Sequence, residues 1–165
     1  MRILAAAALG LLLVTPVLAD DWSTFRDPNG AFSVAFPGSP SVANTQTMTT
    51  DGKAVPLSGY SMSSGATVLA VIDSNLSGYK VDPATAVANA SGAVKSNAAR
   101  TESDAPVSLD GQAGRALTVI GKDGNRVMDR VFFVRGHLYQ VTATAPANAA
   151  QDDSQRFINS FHFAQ

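Results

Sequence analysis

His137 and His162 are the only two imidazoles in the chain, and there is no cysteine. Histidine is the side chain that changes charge near neutral pH, so proton-transfer chemistry would rest on these two positions. The missing thiols exclude a thiolate nucleophile, a thiolate metal site and disulfide redox chemistry. A hydrolase could still combine His137 or His162, as general base, with a serine and an aspartate brought together by folding. The nucleophile-elbow pattern G-x-S-x-G is absent: Gly59-Tyr60-Ser61-Met62-Ser63 lacks the second glycine and lies in strand-like sequence. A glycosidase needs two positioned carboxylates. Glu102 is the single glutamate, and Asp27, Asp51, Asp82 and Asp123 stand where turns or helix caps would use them.

Metal and phosphate chemistry find no frame either. The histidines are far apart, with no H-x-x-x-H or H-E-x-x-H spacing. Asp27-Pro28-Asn29-Gly30 has the start of a calcium loop without its closing glutamate, and reads as a turn. Gly111, Gly114 and Gly121 lack the loop-to-helix context of a phosphate cradle. No metal and no cofactor is expected. Trp22, Tyr60, Tyr79, Tyr139 and Arg115 remain as recognition candidates, because Trp, Tyr and Arg dominate many interfaces. Each has a plainer use. Trp22 would pin the first segment to the sheet, the tyrosines would pack in the core, and Arg115 would tie strands together through a carboxylate. The speculative partner-binding set is Trp22, Arg115, His137 and Tyr139.

The elements that must position these groups are mostly strands. Turn signals recur at Asp27-Pro28-Asn29-Gly30, Pro37-Gly38, Asp51-Gly52, Ser64-Gly65, Lys122-Asp123-Gly124-Asn125 and Arg135-Gly136. Between them, "FSVAF" at 32–36 alternates Phe32, Val34 and Phe36 with Ser33 and Ala35, the period of a half-buried strand. The stretches flanking Asp51-Gly52 predict a long hairpin, with Pro56 suggesting an edge position. The apolar run at 66–72 predicts a central strand. "RVFFVRGHLYQVT" at 130–142 predicts another hairpin, with either Arg135-Gly136 or Gly136-His137 at its turn. One residue of slip would exchange the faces. Either register puts His137 at or beside an exposed tip, with no catalytic partner visible. "RTESDAP" at 100–106 reads as a polar connector.

Two helices interrupt the strands. Asp82 can cap the first, with Pro83 in its first turn, and Val87, Ala90, Ser91, Val94 and Ala98 share a face. The second is expected after Pro146, with Ala150, Phe157, Ile158 and Phe161 inward. Runs of strands joined by short turns are antiparallel. The expected fold is therefore α+β: an antiparallel sheet of about seven strands packed with two main helices.

Residues 1–19, "MRILAAAALGLLLVTPVLA", combine Arg2, an apolar run and small residues before a cleavage point after Ala19, as in a signal peptide. Cleavage would leave one domain, 20–165, of 146 residues with a net charge of −2, from +11 and −13. A periplasmic or extracellular location is expected, with no membrane span in the mature chain. Interspersed, nearly balanced charge gives no reason to expect nucleic acid.

"FRDPNGAFSVAFPGSP" at 25–40, "GQAGRALTV" at 111–119, "RVFFVRGHLYQVTAT" at 130–144 and "FINSFHF" at 157–163 occur in an order and spacing that resemble the PsbP-like and DcrB-like family of small exported proteins. The likeness spans nearly all of the mature chain and implies an antiparallel sheet in an α/β/α sandwich. It also implies a binding or assembly accessory, not an enzyme with a shared active site. Without a thylakoid-targeting segment, a photosynthetic role does not carry over, and no family ligand residue maps onto a position here. The expected function is a non-catalytic accessory acting through its surface on a protein partner in the cell envelope. Two other readings stand beside it: a carrier of a small apolar ligand between sheet and helix, and a small hydrolase using His137 or His162.

Overall fold

The computed structural model describes residues 22–49 and 52–164. The expected signal segment and Asp51 lie outside the described residues. In chain order the elements are β1 (Ser23–Arg26), β2 (Phe32–Phe36), β3 (Ser41–Met48), β4 (Ala54–Ser64), β5 (Thr67–Asn75), α1 (Pro83–Ser96), β6 (Ala98–Leu109), β7 (Gln112–Gly121), β8 (Asn125–Val134), β9 (His137–Pro146), α2 (Asp152–Ser160) and β10 (His162–Phe163). Seven strands form one sheet in the order β3-β4-β5-β9-β8-β7-β6, and β1-β2-β10 form a smaller one. Every pairing is antiparallel. The α+β expectation holds, with a second sheet that it did not contain.

The two layers on the large sheet follow from strand alternation. Phe132, Tyr139, Val141, Leu69, Val71 and Tyr60 share one face. They pack with Phe32, Val34 and Phe36 of β2 and with Phe157, Ile158 and Phe161 around α2. This is the main core, and its aromatic rings meet mostly edge-on or tilted, as at Phe32–Phe161 and Phe161–Phe163, with Phe132 stacked on Phe161 at 13°. Leu117, Val119 and Val131 are buried on the opposite face, against α1. Asp82 caps α1 as expected, its side chain accepting from Thr85 N at 2.8 Å and Thr85 Oγ1 at 2.7 Å. The α1 residues fully buried against the sheet are small, Ala86 and Ser91.

Several boundaries differ from the sequence reading, each for a physical reason. "RTESDAP" is not a connector but part of β6, an edge strand carrying two register shifts, at 98–100 and 101–103. Edge strands tolerate charge and proline, which hid this one. Pro56 sits on β4, an interior strand, but beyond the first β4–β5 pair, Leu57↔Ser74, so its edge-like character is local. The second helix starts at Asp152, leaving Ala150 outside, and ends before Phe161, whose backbone is extended. Ala98, expected on the first helix, begins β6. Val134 pairs with His137, which puts Arg135-Gly136 at the turn centre with φ of 50° and 83°. Those are the left-handed values of a two-residue hairpin turn.

Candidate functional site

The β8–β9 turn is clamped from outside its own hairpin. Leu76 N donates to Gly136 O at 2.8 Å, and a Cβ at Gly136 would lie 2.9 Å from Ser77 Cα. Glycine is therefore required there both for the positive φ and for the approach of the 76–79 segment. The clamp brings the end of β5 beside the start of β9, and β5 residues Asp73 and Asn75 register with Tyr139 and His137.

That register supplies the partner His137 lacked in sequence. His137 Nδ1 lies 2.8 Å from Asp73 Oδ1, with 28 % of the histidine side chain and 13 % of the aspartate side chain exposed. An ionised carboxylate only accepts, so this bond places the proton on Nδ1 and leaves Nε2 outward. The imidazole stacks on Tyr139, ring centroids 5.9 Å apart at 16°. Burial raises the Asp73 carboxyl above the usual carboxylate range, and the His137 hydrogen bond opposes that rise. His137 is thus an oriented, half-buried group, not the exposed turn residue expected from sequence.

A recess of about 400 Å³ opens here, lined by Asn29, Ala31, Asp73, Asn75, Arg135, His137 and Tyr139. The turn that supplies Asn29 and Ala31 to its lining is held by a buried carboxylate. Asp27, 5 % exposed, accepts from Asn29 N and Ala31 N at 3.1 Å through Oδ2 and from the Tyr60 hydroxyl at 2.8 Å through Oδ1. That network fixes the 27–31 turn and confirms the turn role of Asp27. Burial and the neighbouring Asp27 push the Tyr60 hydroxyl far above its ordinary value; for Tyr139 burial comes first, then Asp73. Both rings therefore stay neutral.

The other candidate residues are dispersed. Arg115 does tie strands together: its Nε donates to Asp104 Oδ1, while Lys95 Nζ of α1 reaches Asp104 Oδ2 at 2.7 Å. The Arg115 hydrogen bond, then that of Lys95, holds the Asp104 carboxyl well below its usual range. This cluster lies on the α1 face of the sheet, away from His137. Trp22 is half-buried against the main core, with the Arg156 guanidinium 4.5 Å from its ring centroid. The Tyr79 hydroxyl donates to Ala54 O. His162 stands apart, 56 % exposed, its Nδ1 3.3 Å from Asp110 Oδ2. Asp110 also accepts from Phe163 N at 2.9 Å, tying β10 to the β6–β7 turn. Among the described residues no group of three or more histidine or acidic side chains is placed to hold a metal ion. None of their helices is long and apolar enough to cross a membrane.

The α1 face carries a feature the sequence reading did not single out. Asp129 on β8 is 2 % exposed, and neither of its carboxylate oxygens has a hydrogen-bond partner among the described residues. Burial pushes its carboxyl up to about 7, with nearby Gln140 opposing the rise without closing a hydrogen bond. Ser91 on α1, 1 % exposed, has an equally unpartnered hydroxyl. Two gaps border the helix, of about 400 Å³ by Val94, Val119 and Val127 and about 360 Å³ by Ala84, Val87 and Phe133. Sequence offered one signal: Asp129 interrupts an apolar face of Val127, Val131 and Phe133 on one strand.

No protein-family model and no curated protein matches the sequence. The chain is similar in structure to a solved protein described as the solution structure of cyanobacterial PsbP (CyanoP) from Synechocystis sp. PCC 6803. The likeness has a TM-score of 0.52 at 15 % identity and covers 90 % of this chain and 96 % of that one. At that identity the comparison speaks for the fold, which is PsbP-like.

Proposed function

We propose that the protein is an exported, non-catalytic binding or assembly accessory, and that its working surface is the polar recess at the β8–β9 turn. One observation carries this reading: an oriented Asp73–His137 pair opens onto a recess, and the hydroxyls of Ser77, Ser58 and Tyr60 near it are already engaged. Ser77 Oγ donates to Asn75 Oδ1 at 2.6 Å, Ser58 Oγ to Asn44 Oδ1 at 3.1 Å, and the Tyr60 hydroxyl to Asp27. A base with its orienting carboxylate becomes a hydrolase centre when a free nucleophile lies within reach. Here the pair presents fixed polar groups for recognition instead. The PsbP-like fold is the scaffold for this surface, and the role is argued from the site.

The test is photo-crosslinking from Asn29 and Arg135 in the native envelope, with mass spectrometry of the adducts. A reproducible protein partner from these positions is expected, and none from Lys122 at the opposite end of the hairpin. Recovery of nothing across several growth conditions removes the support for the reading.

A second reading has its own observation. The paired gaps beside α1, with Asp129 and Ser91 unpartnered beneath the helix, support a carrier of a small, mainly apolar ligand between sheet and helix. Native mass spectrometry of protein purified from its own host would then show added mass. A clean apo mass, under conditions that preserve a control complex, argues against it.

A further inference from the structure

The recess at the β8–β9 turn is rich in donors, and the Asp73–His137 pair leaves it two open acceptors, Asp73 Oδ2 and the unprotonated His137 Nε2. Asn75 Oδ1 is occupied by Ser77 N at 3.1 Å and by Ser77 Oγ, so the Asn75 amide nitrogen is the end left to face a ligand. Arg135 is exposed on the rigid turn and forms no hydrogen bond or ion pair with a side chain among the described residues. Asn29, whose backbone is held by Asp27, adds a second amide side chain to the lining. Arg135 also borders an adjoining cleft of about 130 Å³ that contains Asp110 and Gln112, but Asp110 is committed to Phe163 N and His162. Against these donors the recess offers one open anionic acceptor, Asp73 Oδ2, because Oδ1 is taken by His137.

We infer that this recess binds a small carboxylate carrying a hydrogen-bond donor on the adjacent carbon. The carboxylate meets the Arg135 guanidinium, whose forked N–H groups match its two oxygens. The Asn75 amide supplies a further N–H to it. The neighbouring hydroxyl, ammonium or amide N–H meets Asp73 Oδ2, which would otherwise repel a simple anion. A 2-hydroxy acid, an amino acid and the C-terminus of a peptide share this chemistry. The inference rests on the proposal that the recess is the working surface, and names what that surface accepts.

The experiment is a ¹H–¹⁵N NMR titration of the purified protein with L-lactate, N-acetyl-L-alanine and acetate, each to about 50 mM, so that millimolar affinities are covered. Saturable shifts are expected at Asn75, Arg135, Gly136 and His137. Lactate, N-acetylalanine or both should bind about tenfold or more tightly than acetate, the weight of one hydrogen bond to a charged group. Lactate alone would identify a free hydroxy acid as the source, and N-acetylalanine alone a chain terminus. In R135Q, affinity should fall about tenfold or more while signals outside the turn stay in place. Absence of saturable shifts with all three probes overturns the inference, as does undiminished binding in R135Q. If the NMR result is negative while photo-crosslinks still form at Asn29 and Arg135, the ligand class fails and the accessory surface stands. If both are negative, both fail.

Discussion

Replacing Asp129 with asparagine tests the account of the α1 face most directly. The wild-type carboxyl is buried without a hydrogen-bond partner, and its pKa is about 7 against an ordinary 3.8. A carboxyl whose pKa is raised on folding is favoured in its protonated form, so the folded chain holds a proton that the unfolded chain releases. Stability therefore falls as pH rises from about 4 to about 7 and levels off above that. A gap of about three pK units corresponds to about 4 kcal/mol. The amide of D129N has nearly the same shape and does not ionise, so its stability should lack this slope. Urea denaturation of both proteins at about pH 5, 6, 7 and 8 measures the difference, in which contributions common to the two proteins cancel. The mutant should gain on the wild type as pH rises, by about 2.5 kcal/mol between about pH 5 and 8 and mostly below about pH 7, the rest of the effect falling below about pH 5. The carboxylates with lowered pKa values, Asp82, Glu102, Asp104 and Asp123, act in the opposite sense and below this window. Parallel curves for the two proteins from pH 5 to 8 would refute the reasoning, because they would show that Asp129 ionises as freely in the folded state as in the unfolded one.

Three further perturbations probe the scaffold. D82A removes the cap that receives Thr85 N and should lower the denaturation midpoint, with the loss read locally as faster amide exchange in the first turn of α1. G114A adds a Cβ 2.4 Å from Phe132 Cδ1 and from Val131 O, two atoms of a packed strand, and should lower stability by about 1–3 kcal/mol. F157A empties a fully buried site that meets Phe36 at a centroid distance of 5.0 Å and should cost about 3–5 kcal/mol, measured as a lower midpoint at unchanged slope.

The parts of this fold legible in the sequence were those written in local chemistry. The period-two pattern of Phe32, Val34 and Phe36 placed β2, Asp82-Pro83 placed the start of α1, and Arg135-Gly136 marked a turn. Arg115 was rightly read as a strand tie, although its partner Asp104 could not be named. β6 was lost because an edge strand needs no apolar face, yet Asp110-Gly111, with φ of 50° and 78°, was a hairpin signal that could have revealed it. The recess was not legible. Asp73 lies 64 residues from His137, and what joins them is the pairing of β5 with β9, a tertiary fact without a local signature. The early end of α2 has a similar origin: Phe161 leaves the helix so that His162-Phe163 can pair with β2.

That same β5–β9 pairing has a consequence for the order of assembly. The β3-β4-β5 meander can form from local turns, as can β6-β7-β8-β9, but the large sheet is joined at the meeting of β5 with β9, the last of its strands to be synthesised. Val71↔Val141 spans seventy residues, so loop closure there is slow relative to hairpin formation. Until β9 emerges, one edge of β5 has no partner, and the chain keeps an unfinished seam through its middle. A nascent or truncated chain ending before His137 would thus expose Leu69 and Val71 beside an open strand edge, a surface prone to association with other chains. The native sheet closes only when nearly the whole polypeptide is available.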